Sequence, residues 1–125
     1  MPKAKAAPEE TRTRDADRSQ QIILLAARDE FAQHGLAGAR VDRVAERAGL
    51  NKRLIYYYFT SKDELFLAVL EAAYADIRAA EQQLHLADMP PAQAIRRLTE
   101  FTWEYYLAHP EFLTLLNSEN LEHGR

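Results

Sequence analysis

The 125-residue chain contains no cysteine. That absence removes disulfides, thiolate metal sites and cysteine nucleophiles together. It also fits a reducing compartment, so a cytoplasmic location is expected. Glycine is scarce, at four residues, and no β-like alternation of apolar and polar positions is evident. Both observations argue against an all-β fold, a dinucleotide-binding βαβ unit and a phosphate-binding glycine loop. Long apolar runs are missing as well. The longest, Ile22–Ala27 and Leu65–Leu70, have six residues each, whereas a membrane-spanning helix needs ~20. No apolar core of a secretory signal occurs near the N-terminus, so no membrane partner is expected. The four histidines (His34, His85, His109 and His123) show no metal-ligand spacing, and no nucleophile–base cluster is readable. Neither an enzyme, a metal site nor a cofactor is expected.

What is present is the composition of a globular protein, 47% apolar and 28% charged. The net charge of −3 conceals an asymmetry. Residues 1–62 carry twelve Lys/Arg against eight Asp/Glu, a net +4, while residues 63–125 carry four against eleven, a net −7. The segment 40–62 alone is +4, with Arg40, Arg43, Arg47, Lys52, Arg53 and Lys62 set against Asp42 and Glu46. A local positive field of this kind suits an anionic partner. Charge by itself is equally well explained by a solvated basic face, so shape has to decide.

Residues 1–17 mix charge, alanine and proline with almost no bulky apolar side chain, and read as a flexible arm. Asp17 or Ser19 then offers an N-cap, and Ile23, Ala27 and Phe31 line one face of a first helix running to about His34. Gly35 is its expected stop, because glycine tolerates the left-handed conformation. Val41, Val44, Ala45 and Ala48 form the stripe of a short second helix, closed by Gly49. Asn51 caps a third, from Lys52 to about Phe59. Two helices of two turns, separated by a short turn containing glycine, describe a helix-turn-helix. Neither is stable alone at that length, so both must share a core with their neighbours.

Ser61-Lys62-Asp63-Glu64 is a capping box and the clearest start signal in the chain. It opens a long fourth helix, expected from Lys62 to about Leu86. Pro90-Pro91 begins a fifth helix, which stops at His109-Pro110, and a sixth runs from Glu111 to about Leu121. The expected architecture is all-α. A helix-turn-helix head over residues 18–65 is joined by the long fourth helix to a partial helical C-terminal domain over 66–125.

The run from Val41 to Leu65, VDRVAERAGLNKRLIYYYFTSKDEL, strongly resembles the DNA-binding head of tetracycline-repressor (TetR) family regulators. Val44-Ala45, Ala48-Gly49-Leu50, Ile55-Tyr56, Phe59, Lys62 and Leu65 fall in step with that family's pattern, as do Ala26-Ala27, Phe31 and Gly35. The resemblance covers about residues 18–70. Beyond residue 70 only the helical layout matches. The resemblance implies a nucleoid-associated regulator, usually a dimeric repressor of a palindromic operator. Its third helix would enter the major groove, and a small ligand bound in the C-terminal helices would release it.

A recognition helix shows bases its first turn and is pinned by phosphates. Lys52 and Arg53 occupy that turn, and either can donate to guanine O6 and N7. Tyr57 lies one turn on, with reach to a thymine methyl or a phosphate. Tyr56 and Lys62 resemble the family's phosphate-binding tyrosine and lysine. Arg40 and Arg43 flank the start of the second helix as further phosphate candidates, and Arg12, Arg14 and Arg18 are within reach of a neighbouring minor groove or phosphates. Tyr58 reads as packing, and Arg47 as a residue paired with solvent or an acid.

Two departures from the family pattern stand out. Many relatives place Ser or Thr before the second helix. Here Ala39-Arg40 stand there, so the hydroxyl cap is lost and Arg40 is the substitute phosphate contact. The second departure is length. Residues 71–125 supply only the first part of the family's C-terminal body, so the usual dimer-forming helices are not among them and inducer binding is doubtful. Phe101, Trp103, Tyr105, Tyr106 and His109 suggest an aromatic ligand pocket, although a stripe at helical spacing is more often core. The competing function is an interaction module that pairs with a longer relative through apolar surface on helices 5 and 6.

Overall fold

The computed structural model describes the backbone of residues 8–123 and the side chains of residues 13–118. Six α-helices and no strand occur among the described residues. They are α1 (Pro8–Gly38), α2 (Val41–Ala48), α3 (Lys52–Tyr58), α4 (Lys62–Gln82), α5 (Pro91–Ala108) and α6 (Pro110–His123), with a 3₁₀ turn at Leu86–Asp88. The all-α expectation holds, and α2 begins and ends where its apolar stripe does.

The first helix differs from the expectation. It begins at Pro8 rather than near Ser19, so residues 8–17, read as part of a flexible arm, are helical. The side chains of residues 13–17 are exposed or half-buried, but extending a helix that is already nucleated adds one hydrogen bond per residue fixed and needs no burial. Residues 1–7 of the expected arm lie outside the described residues. At the other end, Gly35 takes a φ of 71° and a ψ of 174°, breaking the helical path after His34 as its residue type suggested. A short helical piece then continues to Gly38.

The fourth helix ends at Gln82, four residues short of the expected Leu86. His85 turns the chain with a φ of 54°, the one non-glycine residue in the left-handed region among those described. No glycine or proline marks this stop, so periodicity overran it.

The core of the head is built from the stripes. Ile23, Ala27 and Phe31 of α1 meet Val41, Val44 and Ala45 of α2, Ile55 of α3, and Leu65, Phe66, Val69 and Leu70 of α4. The rings of Phe31 and Phe66 meet edge to face at 4.9 Å. Leu115 of α6 is fully buried in the same cluster. Nearby, the backbone N–H of Leu36 donates to Ser118 Oγ at 2.6 Å, just past the Gly35 break. So α6 is seated against the bend in α1. A second cluster joins Ala73 and Ile77 of α4 to Phe112 of α6, with Phe101, Tyr105 and Tyr106 of α5 packed on it.

Candidate nucleic-acid interface

Asn51 Oδ1 accepts the N–H of Arg53 at 2.7 Å, which starts α3. The helix is pinned from beneath by Ile55, which is buried, and by the partly buried Tyr58 and Phe59. Tyr58 therefore packs, as its position suggested. This anchoring turns Lys52, Arg53, Tyr56 and Tyr57 outward, and all four are exposed. Tyr57 is 76% exposed and rests edge to face on Tyr58 at 5.0 Å. Arg53, Leu54 and Tyr57, with Asn51, line a shallow and largely apolar depression on the outer surface.

Apart from Arg53, the cations divide into two groups. One gathers at the start of α2. Lys52 Nζ donates to Asp42 Oδ1 at 2.7 Å, and an Arg40 guanidinium nitrogen lies 3.8 Å from the other oxygen of Asp42. The hydrogen bond from Lys52 and its charge hold the Asp42 carboxyl below its ordinary range, and the same contact raises the Lys52 ammonium. Lys62 Nζ reaches back from α4 to the carbonyls of Ala37 and Ala39, at 3.3 and 3.2 Å. Arg40 and Lys52 thus share one carboxylate in the first turn of α2, while Lys62 holds the carbonyls just before it.

The second group faces inward. Arg43 Nε donates to Glu30 Oε2 at 2.6 Å while another of its nitrogens donates to the Gly38 carbonyl at 2.8 Å. Arg47 Nε donates to Glu30 Oε1 at 3.2 Å, and its terminal nitrogen to Gln33 at 2.6 Å. Glu30 itself has no solvent exposure. Burial alone would raise its carboxyl, but the hydrogen bonds from the Arg43 side chain and the Arg40 backbone outweigh that and leave it lowered. Arg43, taken from sequence as a phosphate candidate, is in this structure a brace between α1 and α2.

Two residues of this region were not singled out by sequence reasoning. Glu30 falls on the buried stripe of α1 beside Ala27 and Phe31, and a carboxylate in that position, with arginines four apart on the next helix, was the available signal. Its Oε2 accepts the Arg40 N–H at 3.1 Å. An acid on α1 therefore takes the N–H that opens α2, whose own N-cap side chain makes no capping bond. Asp42 is the other missed residue. It looked like one more surface acid, and only the folding of α3 across α2 brings Lys52 onto it.

The aromatic residues of α5 pack on one another rather than around a space. Tyr105 stacks on His109 at 4.1 Å and meets Phe101 and Phe112 at 5.7 and 6.0 Å. The gap left between Tyr105, His109, Phe112 and Arg28 is about 10 Å³, room for no more than one water. Trp103 stands apart, 66% exposed. Among the described helices, none is long and apolar enough to cross a membrane.

The family model described as "Bacterial regulatory proteins, tetR family" matches residues 23–69, the span that builds the head and its exposed helix. The chain belongs to the TetR family. A second TetR-related model, "Tetracyclin repressor-like, C-terminal domain", matches residues 91–125, so the resemblance continues past the head into α5 and α6. The chain is similar to the HTH-type transcriptional repressor NicS of Pseudomonas putida, 46% identical over 113 residues that cover 90% of this chain and 53% of that one. It is also similar to the HTH-type transcriptional repressor SCO4008 of Streptomyces coelicolor, 42% identical over 89% of this chain and 54% of the relative. Among solved structures, a TetR-like transcriptional regulator from Rhodococcus sp. RHA1 superimposes with a TM-score of 0.71 at 28% identity, over 78% of this chain and 54% of that one. The chain spans about half the length of these relatives.

Proposed function

We propose that this TetR-family chain acts as a sequence-specific DNA-binding transcriptional regulator, a repressor by analogy with the relatives named above. The observation that carries the reading is the outer face of α3. Four exposed side chains able to meet bases or phosphates, Lys52, Arg53, Tyr56 and Tyr57, stand on a seven-residue helix whose other face is anchored in the core by Ile55. Cations at the start of α2 and of α4 flank that face. In this reading α3 enters the major groove. Arg40 and Lys62 meet phosphates, Tyr56 assists at the groove edge, and Arg43 acts from behind by fixing α2. This chemistry calls for no catalytic group, metal or cofactor. Its place is the cytoplasm, on the nucleoid.

The test is binding of the chain to duplex DNA by fluorescence anisotropy across a salt series. The logarithm of the affinity should fall linearly with the logarithm of salt, with a slope of about −0.9 per phosphate contacted. Failure to bind any duplex at low ionic strength, even with two heads joined by a fused zipper, overturns the reading.

A second reading concerns partners. Ile95, Trp103 and Leu107 are 68%, 66% and 67% exposed along α5. Such a stripe favours association, with a second copy on a palindromic operator or with a longer relative. Light scattering of the chain alone and mixed with a relative separates the two, and a monomer in both experiments rejects association. No inducer site is proposed among Phe101, Tyr105 and Tyr106, because these rings are spent on one another, His109 and Phe112.

A further inference from the structure

We infer that Arg53 and Tyr57, and not Lys52, set the sequence preference of this face, and that the half-site it reads contains a guanine with a thymine about two base pairs away. The inference rests on the duplex-binding reading above and adds the chemistry of the site that would be bound.

Lys52 and Arg53 are adjacent cations in one turn, but their surroundings differ. The Lys52 ammonium is engaged with Asp42 at 2.7 Å, and Arg40 lies against the same carboxylate. A base edge would have to compete with that acid, and the acid would itself repel the phosphates beside the groove. The Arg53 guanidinium makes no hydrogen bond or ion pair among the described residues, and only its backbone N–H is used, in the cap. It is the unengaged fork of donors on this helix, with the geometry that matches guanine O6 and N7.

The second observation is the apolar depression formed by Leu54 and Tyr57 beside Arg53. A phosphate has no use for such a floor. The 5-methyl of thymine is the apolar group that the major groove offers, and it fits there. Residues 53 and 57 are four apart and so share a helix face. Their separation along the axis is about 6 Å at 1.5 Å per residue, and bases on one strand are about 3.4 Å apart. Arg53 and Tyr57 therefore address positions about two steps apart on the same groove wall.

The experiment is selection of bound duplexes from a randomised pool with the chain at low ionic strength, followed by affinities for the selected duplex and its analogues. A guanine should recur two steps from a thymine. Replacing that G·C pair by A·T should weaken binding roughly 5- to 150-fold, the range for a bidentate contact. Arg53→Ala should abolish that discrimination, and Lys52→Ala should retain it. Replacing the thymine by deoxyuridine should weaken binding about fourfold, the value of one buried methyl group, and should have no effect on Tyr57→Ala. Guanine preference that survives Arg53→Ala, or that vanishes in Lys52→Ala, overturns the assignment. So does indifference to the thymine methyl. Duplex binding without base preference would leave the DNA-binding reading standing and refute this inference. No duplex binding at all would refute both.

Discussion

Arg43 Nε lies 2.6 Å from Glu30 Oε2, and the carboxylate that receives it is wholly closed to solvent. The same carboxylate accepts Arg47 and the N–H that begins α2. One side chain thereby fixes the position of α2 on α1, and α3 is carried on α2. Glu30→Ala should strand two guanidinium groups and one backbone donor. Breaking a fully buried pair costs 3–5 kcal/mol, and since both arginines retain contact with water the lower end, about 3 kcal/mol, is expected here. Chemical denaturation of the two proteins checks the value. Glu30→Gln, which keeps the shape and one acceptor, should fall between them.

The lowered carboxyl of Glu30 also sets a pH dependence. A group held below its unfolded value of 4.5 contributes stability that is fully present above that value and is lost as pH falls through the folded one. The melting temperature of the chain should therefore drop more steeply below about pH 4.5 than that of Glu30→Gln. Parallel curves for the two proteins would show that this carboxylate plays no part in the acid transition.

The readable parts of this molecule are those in which one residue type does one local job. Gly49, Asn51 and Ser61 each mark a helix boundary, and the boundaries stand where those residues stand. The apolar stripes of α1 and α2 gave their share of the core in advance, including Ile23, Phe31 and Val44. The unread parts depend on contacts between elements. Glu30 reads as a charge that interrupts a stripe until the arginines of α2 fold over it. Asp42 reads as a solvated acid until α3 crosses α2. The N-terminal extension of α1 and the early stop of α4 were missed for the opposite reason. No local signal marks the stop of α4, and the extension of α1, which opens on Pro8-Glu9-Glu10, needs only a nucleated helix to grow from.

Gly49 closes α2 with a φ of 68°, and its N–H bonds back to the carbonyls of Ala45 and Glu46. Beyond its chain neighbours no atom lies within 4 Å of where a Cβ would stand, so a substitution there is disfavoured by backbone conformation alone. Gly49→Ala should cost about 1–2 kcal/mol, the penalty of a left-handed non-glycine residue. The loss should appear in thermal unfolding. Because no side chain is displaced, DNA affinity under conditions where both proteins are folded should stay near that of the parent.

Lys62 reaches from α4 to the two carbonyls just before α2, and a phosphate would approach the same ammonium. Lys62→Ala should weaken binding to all duplex sequences alike and make the salt slope shallower by about one. An unchanged slope would leave Lys62 only the task of holding the Ala37–Ala39 carbonyls, and the loss would then appear in stability alone.

Asp42 is the one acid among the cations at the start of α2, and its removal should act in the opposite direction. Asp42→Asn keeps the size of the side chain and releases both Lys52 and Arg40 from a charged partner. One negative charge is lost from the face and one ammonium becomes available to a phosphate. Affinity for duplexes of any sequence should rise, and the salt slope should steepen by about one. The ratio of affinities for selected and scrambled duplexes should stay the same, because the added contact carries no sequence information. Salt-series anisotropy on a selected and a scrambled duplex measures both effects. A weaker complex on both duplexes would mean that Asp42 serves the site by holding Lys52 in position, and that this order outweighs the repulsion the acid brings.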